Sequence, residues 1–351
     1  MIPKSVPPSR FSLTRRRVLV WTASTLLTLV LLAAGGIAVL AFEAGIIGRV
    51  SVTDMAKTWW RKRQAPPLRV IKPTYESVSY GPEKSQTLDF WKAESEQPTP
   101  VIVYIHGGSF MGGDKSRLWS KTDVIERCLN QGVSVVSVNY RFCYQAPLPE
   151  ILSDATRAIQ FLRSKSGEWN LDKARIAAYG DSGGGGLALY AAAHDDVAVP
   201  DSPDPVLRES SRVCAVGVLD GQFSYNFPEW EAVVGPYPDP TRKPKWELYY
   251  WLLPGADPNA PEVQAQLAEC DLRALLTPDD PPLFLFASLK FGTPTSHYHF
   301  LHHPQHAVTL HERCEQVGIE SELVLMDSPR KPVKKRNELV LDFLLRQLEM
   351  F

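Results

Sequence analysis

Cysteine is scarce in this sequence, and what there is lies scattered. Cys128, Cys143, Cys214, Cys270 and Cys314 are five thiols at wide spacings with no CxxC pair. That excludes a disulfide framework, leaves room for one or two bridges at most, and favours isolated buried thiols. Charge of one sign is also lacking: 38 Lys and Arg stand against 39 Asp and Glu, for a net charge of -1. Such a balance supplies no field to attract nucleic acid. Internal repeats and low-complexity tracts are absent too, because the 29 prolines are spread through the chain rather than gathered. Two local absences matter for catalysis. No Asp or Glu occurs from Leu283 to His311, and no histidine follows His311.

One long apolar run is present. Val18 to Phe42 carries 25 residues without a charge, directly after Arg15, Arg16 and Arg17. This length spans a bilayer as a helix, and the arginines favour keeping their end in the cytoplasm. The sequence therefore predicts a cytoplasmic basic segment (1–17), a transmembrane helix (18–42) and a stem or linker (43–67) bearing Trp59 and Trp60. The body from residue 68 to 351 would then be extracytoplasmic, in a periplasm or at a cell surface. Positive charge at Arg49, Lys57 and 61–63 pulls against that orientation. Val39 and Ala41 offer a small-residue cleavage site, and "TRRRVL" resembles a twin-arginine export signal, so removal of the segment stays open.

Within the body, apolar runs alternate with segments of helical period, the pattern of a mostly parallel sheet with crossover helices. "YESVSY", "TLDFWKA", "PVIVYIHGG", "GVSVVSVNYR", "ARIAAYG", "RVCAVGVLD", "PLFLFAS" and "SELVLMD" read as strands. Ile151, Leu152, Ala155, Ile159 and Leu162 share one helical face, as do Leu341, Leu344, Leu345 and Leu348.

Two motifs carry chemistry. "AYGDSGGGG" (178–186) presents Ser182 between a strand and an alanine-rich helix in a G-x-S-x-G frame. A sharp turn of this kind projects the hydroxyl above the sheet, and the following helix start supplies N–H groups and a positive dipole end. "YIHGGSFMGGDKS" (104–116) ends an earlier strand in glycines. The N–H groups of Gly107 and Gly108, with that of Gly183, are the candidate oxyanion hole; His106 reads as structural.

Together, "IHGGSFMGGDKS", the stretch from Ser134 to Arg163 and "ARIAAYGDSGGGGLALYAAA" resemble the α/β-hydrolase fold. More narrowly, they are similar to the esterases grouped with hormone-sensitive lipase and to bacterial carbohydrate esterases of the feruloyl and acetyl kind. The resemblance implies carboxyl-ester hydrolysis through an acyl-enzyme, with no cofactor or metal and a triad in chain order Ser, Asp, His. It places the acid at or near Phe291 and the base after "SELVLMDSPRKP", and this chain has neither there. A serine without a base is a poor nucleophile at neutral pH.

Displaced partners are therefore sought. Asp220 ends the strand after the nucleophile strand, at the same rim of the sheet, as acid or as a turn residue. "HYHFLHHPQHAVTLH" (297–311) holds six of the eight histidines, and His302 or His303, before Pro304, is the candidate base. A metal site built on His297 and His299, or loop histidines without a role, are the other readings. A cap-like insertion is expected over about 222–280, rich in aromatics. The sequence thus predicts an α/β-hydrolase domain behind a membrane anchor, acting as a serine esterase on a small-molecule ester. The alternative is a pseudo-hydrolase that binds a ligand or partner without turnover.

Overall fold

The computed structural model describes residues 70–243, 260–326 and 333–350. The expected basic segment, anchor and stem (1–67) lie outside the described residues, as do 244–259 within the expected insertion. Among the described residues no helix is long and apolar enough to cross a membrane.

Eight strands form one sheet: β1 (Tyr75–Ser79), β2 (Thr87–Trp91), β3 (Thr99–Ile105), β4 (Ser134–Val138), β5 (Leu171–Asp181), β6 (Ala215–Leu219), β7 (Leu283–Ala287) and β8 (Ser321–Leu325). Each coincides with one of the segments read as strands from the sequence. Their order is β1-β2-β4-β3-β5-β6-β7-β8. β1 and β2 form an antiparallel hairpin, β2 pairs antiparallel with β4, and β3 to β8 run parallel. The helices are α1 (Thr122–Asn130), α2 (Leu148–Ser164), α3 (Ser166–Trp169), α4 (Gly183–Ala193), α5 (Trp230–Val234), α6 (Pro261–Glu269), α7 (Leu272–Leu275), α8 (His297–Leu301), α9 (Gln305–Val317) and α10 (Val333–Glu349).

The central strands are apolar on both faces because both are covered. Val101, Val103, Ile105, Ile176, Ala178, Val216 and Val218 face a core completed by α2, α4 and α9. Ile102, Tyr104, Ala177, Tyr179, Ala215 and Leu219 face the opposite core, closed by α1 and α10. The predicted stripes of α2 and α10 are the buried ones, Ile151, Leu152, Ala155, Ile159 and Leu162 on one and Leu341, Leu344, Leu345 and Leu348 on the other. Each such leucine or isoleucine contributes about 1.5–3 kcal/mol by leaving water. The antiparallel edge is pinned by polar contacts. Buried Asp89 on β2 pairs with Lys115 at 2.8 Å and accepts from Trp119 Nε1 at 2.8 Å. The parallel order has one consequence for chemistry: the carboxyl ends of β5, β6 and β7 lie side by side, so the residues following them share one rim.

Candidate active site

Ser182 follows β5 directly and occupies the N-cap position of α4, with φ 53° and ψ -123°. A non-glycine residue there carries strain of about 1–3 kcal/mol, which only an over-determined turn sustains. The turn is held from both sides. Ser182 N–H donates to Leu219 O of β6 at 2.8 Å, and Ser182 O accepts from Gly186 N–H at 3.1 Å. The flanking glycines are required by close approach. A Cβ at Gly180 would strike the Gly184 carbonyl, and one at Gly184 would strike the Ile105 and His106 carbonyls.

The glycine loop after β3 is fixed through its carbonyls. Tyr140 Oη donates to His106 O at 2.7 Å, Arg117 Nη1 donates to Gly107 O at 2.7 Å, and Gly108 O accepts from Met111 N–H at 3.0 Å. Gly108 has φ +142°, and Ser109 and Phe110 follow with φ of 53° and 56°. Phe110 is buried, its ring lying against Gly183. Gly183 opens α4, where the first N–H groups lack intrahelical acceptors. The loop and the helix start thus bring Gly107, Gly108 and Gly183 to the serine's end of the sheet. His106 is buried, stacks on Tyr140 at 4.6 Å between ring centroids and bonds Gly107 O, and burial lowers its pKa. It is a strut of the loop.

The histidine segment meets this turn at one point. His302 Nε2 lies 2.9 Å from Ser182 Oγ. Helix α8 delivers it: Ser296 caps the amino end by accepting from His299 N–H at 3.1 Å, and His302 is the C-cap, its N–H donating to Tyr298 O. The imidazole Nδ1 lies 3.1 Å from the same Tyr298 carbonyl. A carbonyl only accepts, so Nδ1 carries the proton and Nε2 presents its lone pair to the serine hydroxyl. Burial lowers the His302 pKa, an effect that the Asp220 charge and the Tyr298 hydrogen bond partly offset.

The neighbouring histidines are engaged elsewhere. His303, the other candidate base, turns away from Ser182: its Nε2 donates to Gly292 O at 2.9 Å and its Nδ1 accepts from Gln305 N–H at 3.1 Å. The reason is local, since consecutive residues at a helix end project in different directions. His299 bonds Lys290 O, and His297 bonds Tyr237 Oη, so the two rings do not converge on a common point. His306 is fully buried beside Trp230 and Phe223, with Nε2 on Phe300 O. Among the described residues no group of three or more His, Cys, Asp or Glu could hold a metal ion.

Asp220 follows β6 at the same rim, with φ 50°, yet it makes no hydrogen bond to His302 among the described residues. Its Oδ1 accepts from Ser288 N–H at 2.7 Å, and its Oδ2 pairs with Arg336 Nη1 at 3.0 Å. The carboxylate expected to orient the base is instead neutralised by a guanidinium from α10. Phe291, where the resemblance puts the acid, is exposed and lies edge-on to the His303 ring. What the sequence reading missed is the set Arg117, Tyr140, Arg336 and the Tyr298 carbonyl. Only the last left a trace, in Ser296 and Pro304, which bracket a short helix ending at His302.

Strand order, serine elbow and glycine loop decide the architecture. The chain has the α/β-hydrolase fold. Comparison with known proteins agrees: the BD-FAE family matches residues 88–236. Esterase LipC of Mycobacterium tuberculosis is 30% identical over 155 residues, 42% of this chain and 38% of that protein. The chain thus spans about two fifths of that curated relative's length. Among solved structures, an acetyl ester-xyloside bifunctional hydrolase from Caldicellulosiruptor lactoaceticus superposes with TM-score 0.57 at 19% identity, over 79% of this chain and 97% of the other. A truncated carbohydrate esterase from gut microbiota gives 0.60 at 17% identity, over 81% and 99%.

Proposed function

We propose that this α/β-hydrolase is a membrane-tethered serine carboxylesterase, acting on small or carbohydrate-linked acyl esters outside the cytoplasm. The observation that carries the chemistry is the 2.9 Å contact between Ser182 Oγ and His302 Nε2. In this reading His302 takes the hydroxyl proton as Ser182 attacks the ester carbonyl, and the N–H groups of Gly107, Gly108 and Gly183 receive the oxyanion. The imidazolium returns that proton to the departing alcohol. A water then attacks the acyl-enzyme with His302 again as base, releasing the carboxylic acid and restoring the serine. Throughout, the Tyr298 carbonyl holds the Nδ1 proton, the task a carboxylate performs in a full triad. The names of LipC and of the two structural relatives support the ester class, and the charge-free run at 18–42 supports the tether.

A formed nucleophile–base contact argues against the binding-only alternative. The test is labelling by a fluorophosphonate together with turnover of short acyl esters. Ser182→Ala should abolish both, and His302→Ala should lower kcat by ~10²–10⁴-fold, the usual worth of a general base. His303→Ala should cost far less. Labelling that survives Ser182→Ala would sink the proposal.

A further inference from the structure

Arg336 enters the site from α10, which no sequence motif connects with catalysis. Its Nη1 lies 3.0 Å from Asp220 Oδ2, and the two side chains are 18% and 6% exposed. Asp220 is locked from three directions: its N–H donates to Phe286 O at 2.8 Å, Ser288 N–H holds Oδ1, and Arg336 holds Oδ2. A carboxylate at this rim would otherwise be the natural partner of His302 Nδ1, whose proton goes to a backbone carbonyl instead.

We infer that Arg336 is a positioning residue for the ester hydrolysis. It holds the Asp220 carboxylate off the base and balances its charge, and so sets the pH range in which the enzyme works. The inference rests on the reading that Ser182 and His302 are the reacting pair.

The electrostatics follow from who faces the imidazole. Asp220 at the end of β6 and Asp181 at the end of β5 favour its protonation; Arg336 from α10 opposes it. The imidazoles of His297 on α8 and His306 on α9 also face it, and the Tyr298 ring lies 4.4 Å away between centroids. The guanidinium pairs with Asp220 and its charge acts on Tyr104, Lys121, Tyr179 and Tyr298. Removing the positive member of the Arg336–Asp220 pair should make His302 easier to protonate. Removing the negative member should make it harder. The two ends of one ion pair therefore push the acid limb of activity in opposite directions, which a merely structural clamp would not do.

The experiment is the pH dependence of kcat/KM and of fluorophosphonate labelling rate, measured on the full chain. Arg336→Gln should move the midpoint of the acid limb upward by about half a unit to one unit, as expected for a charge near but not touching the base. Asp220→Asn should move it downward by a similar amount, and Arg336→Lys, which keeps the charge, should stay near wild type. A midpoint is independent of how much protein is active, so partial misfolding does not obscure it. Should a variant be too slow to assay, NMR titration of the His302 imidazole in a Ser182→Ala background reads the same shift. Shifts of equal sign, or none, overturn the inference. If His302→Ala instead labels as fast as wild type, the Ser182–His302 reading itself falls.

Discussion

Ser182 and His302 meet across 120 positions of sequence, and each is oriented by backbone rather than by another side chain. The serine is aimed by its own strained turn and the histidine by a carbonyl one helical turn before it. A neutral carbonyl stabilises an imidazolium less than a carboxylate does, so a lower turnover than that of a full triad is expected. The same logic extends to the glycine loop, whose peptide planes are set by donors on its carbonyls. Arg117→Met removes the guanidinium donor from Gly107 O, leaving it to His106 Nδ1, and should lower kcat by about tenfold to a hundredfold with little change in KM, because transition-state donors would be misaimed. Steady-state kinetics on a short acyl ester checks this, and a fall in kcat/KM through KM alone would refute it. Beyond the serine, the glycines and the nomination of His302 or His303 as base, little of this was legible in the sequence. A G-x-S-x-G turn is written in adjacent letters. A carbonyl acceptor has no letter, and the Arg336–Asp220 pair joins residues 116 apart, so no local pattern announces it.

At the level of elements the sequence was far more readable. The central strands are runs of apolar residues because the sheet is covered on both faces there, and the stripes of α2 and α10 obey the helical period. The segment after β7 was harder, since six histidines in fifteen positions suggest one shared role and have several. His306 shows the contrast. It opens α9 inside an aromatic nest, and burial lowers its pKa to about 3. An unfolded histidine titrates near 6.5, so the unfolded chain binds the proton first as pH falls. The stability that this neutral ring confers is fully present above pH ~6.5 and is lost progressively toward pH 3, by about 1.4 kcal/mol per unit at most. His306→Gln should therefore flatten the decline of Tm between pH 6.5 and 4, even if it lowers Tm at neutral pH. An unchanged slope in thermal melts would show that this ring is not the acid-labile element.

For the whole molecule, residues from Arg69 onward form a compact unit. A chain lacking residues 1–67 should keep its esterase kinetics and leave the membrane fraction on carbonate extraction, whereas the full chain should stay with it. Retention of the shortened chain in the membrane would count against the tether. In the proposed mechanism the nucleophile follows β5 and the base is delivered by α8, in the segment between β7 and α9. From the last helix, α10, comes the remote charge of Arg336, paired with Asp220. Chemistry and working range are thereby assigned to separable stretches of polypeptide. Grafting the terminal unit of one such enzyme onto another would transplant its acid tolerance while leaving its preference among esters behind, a modularity that a base carried after β8 forbids.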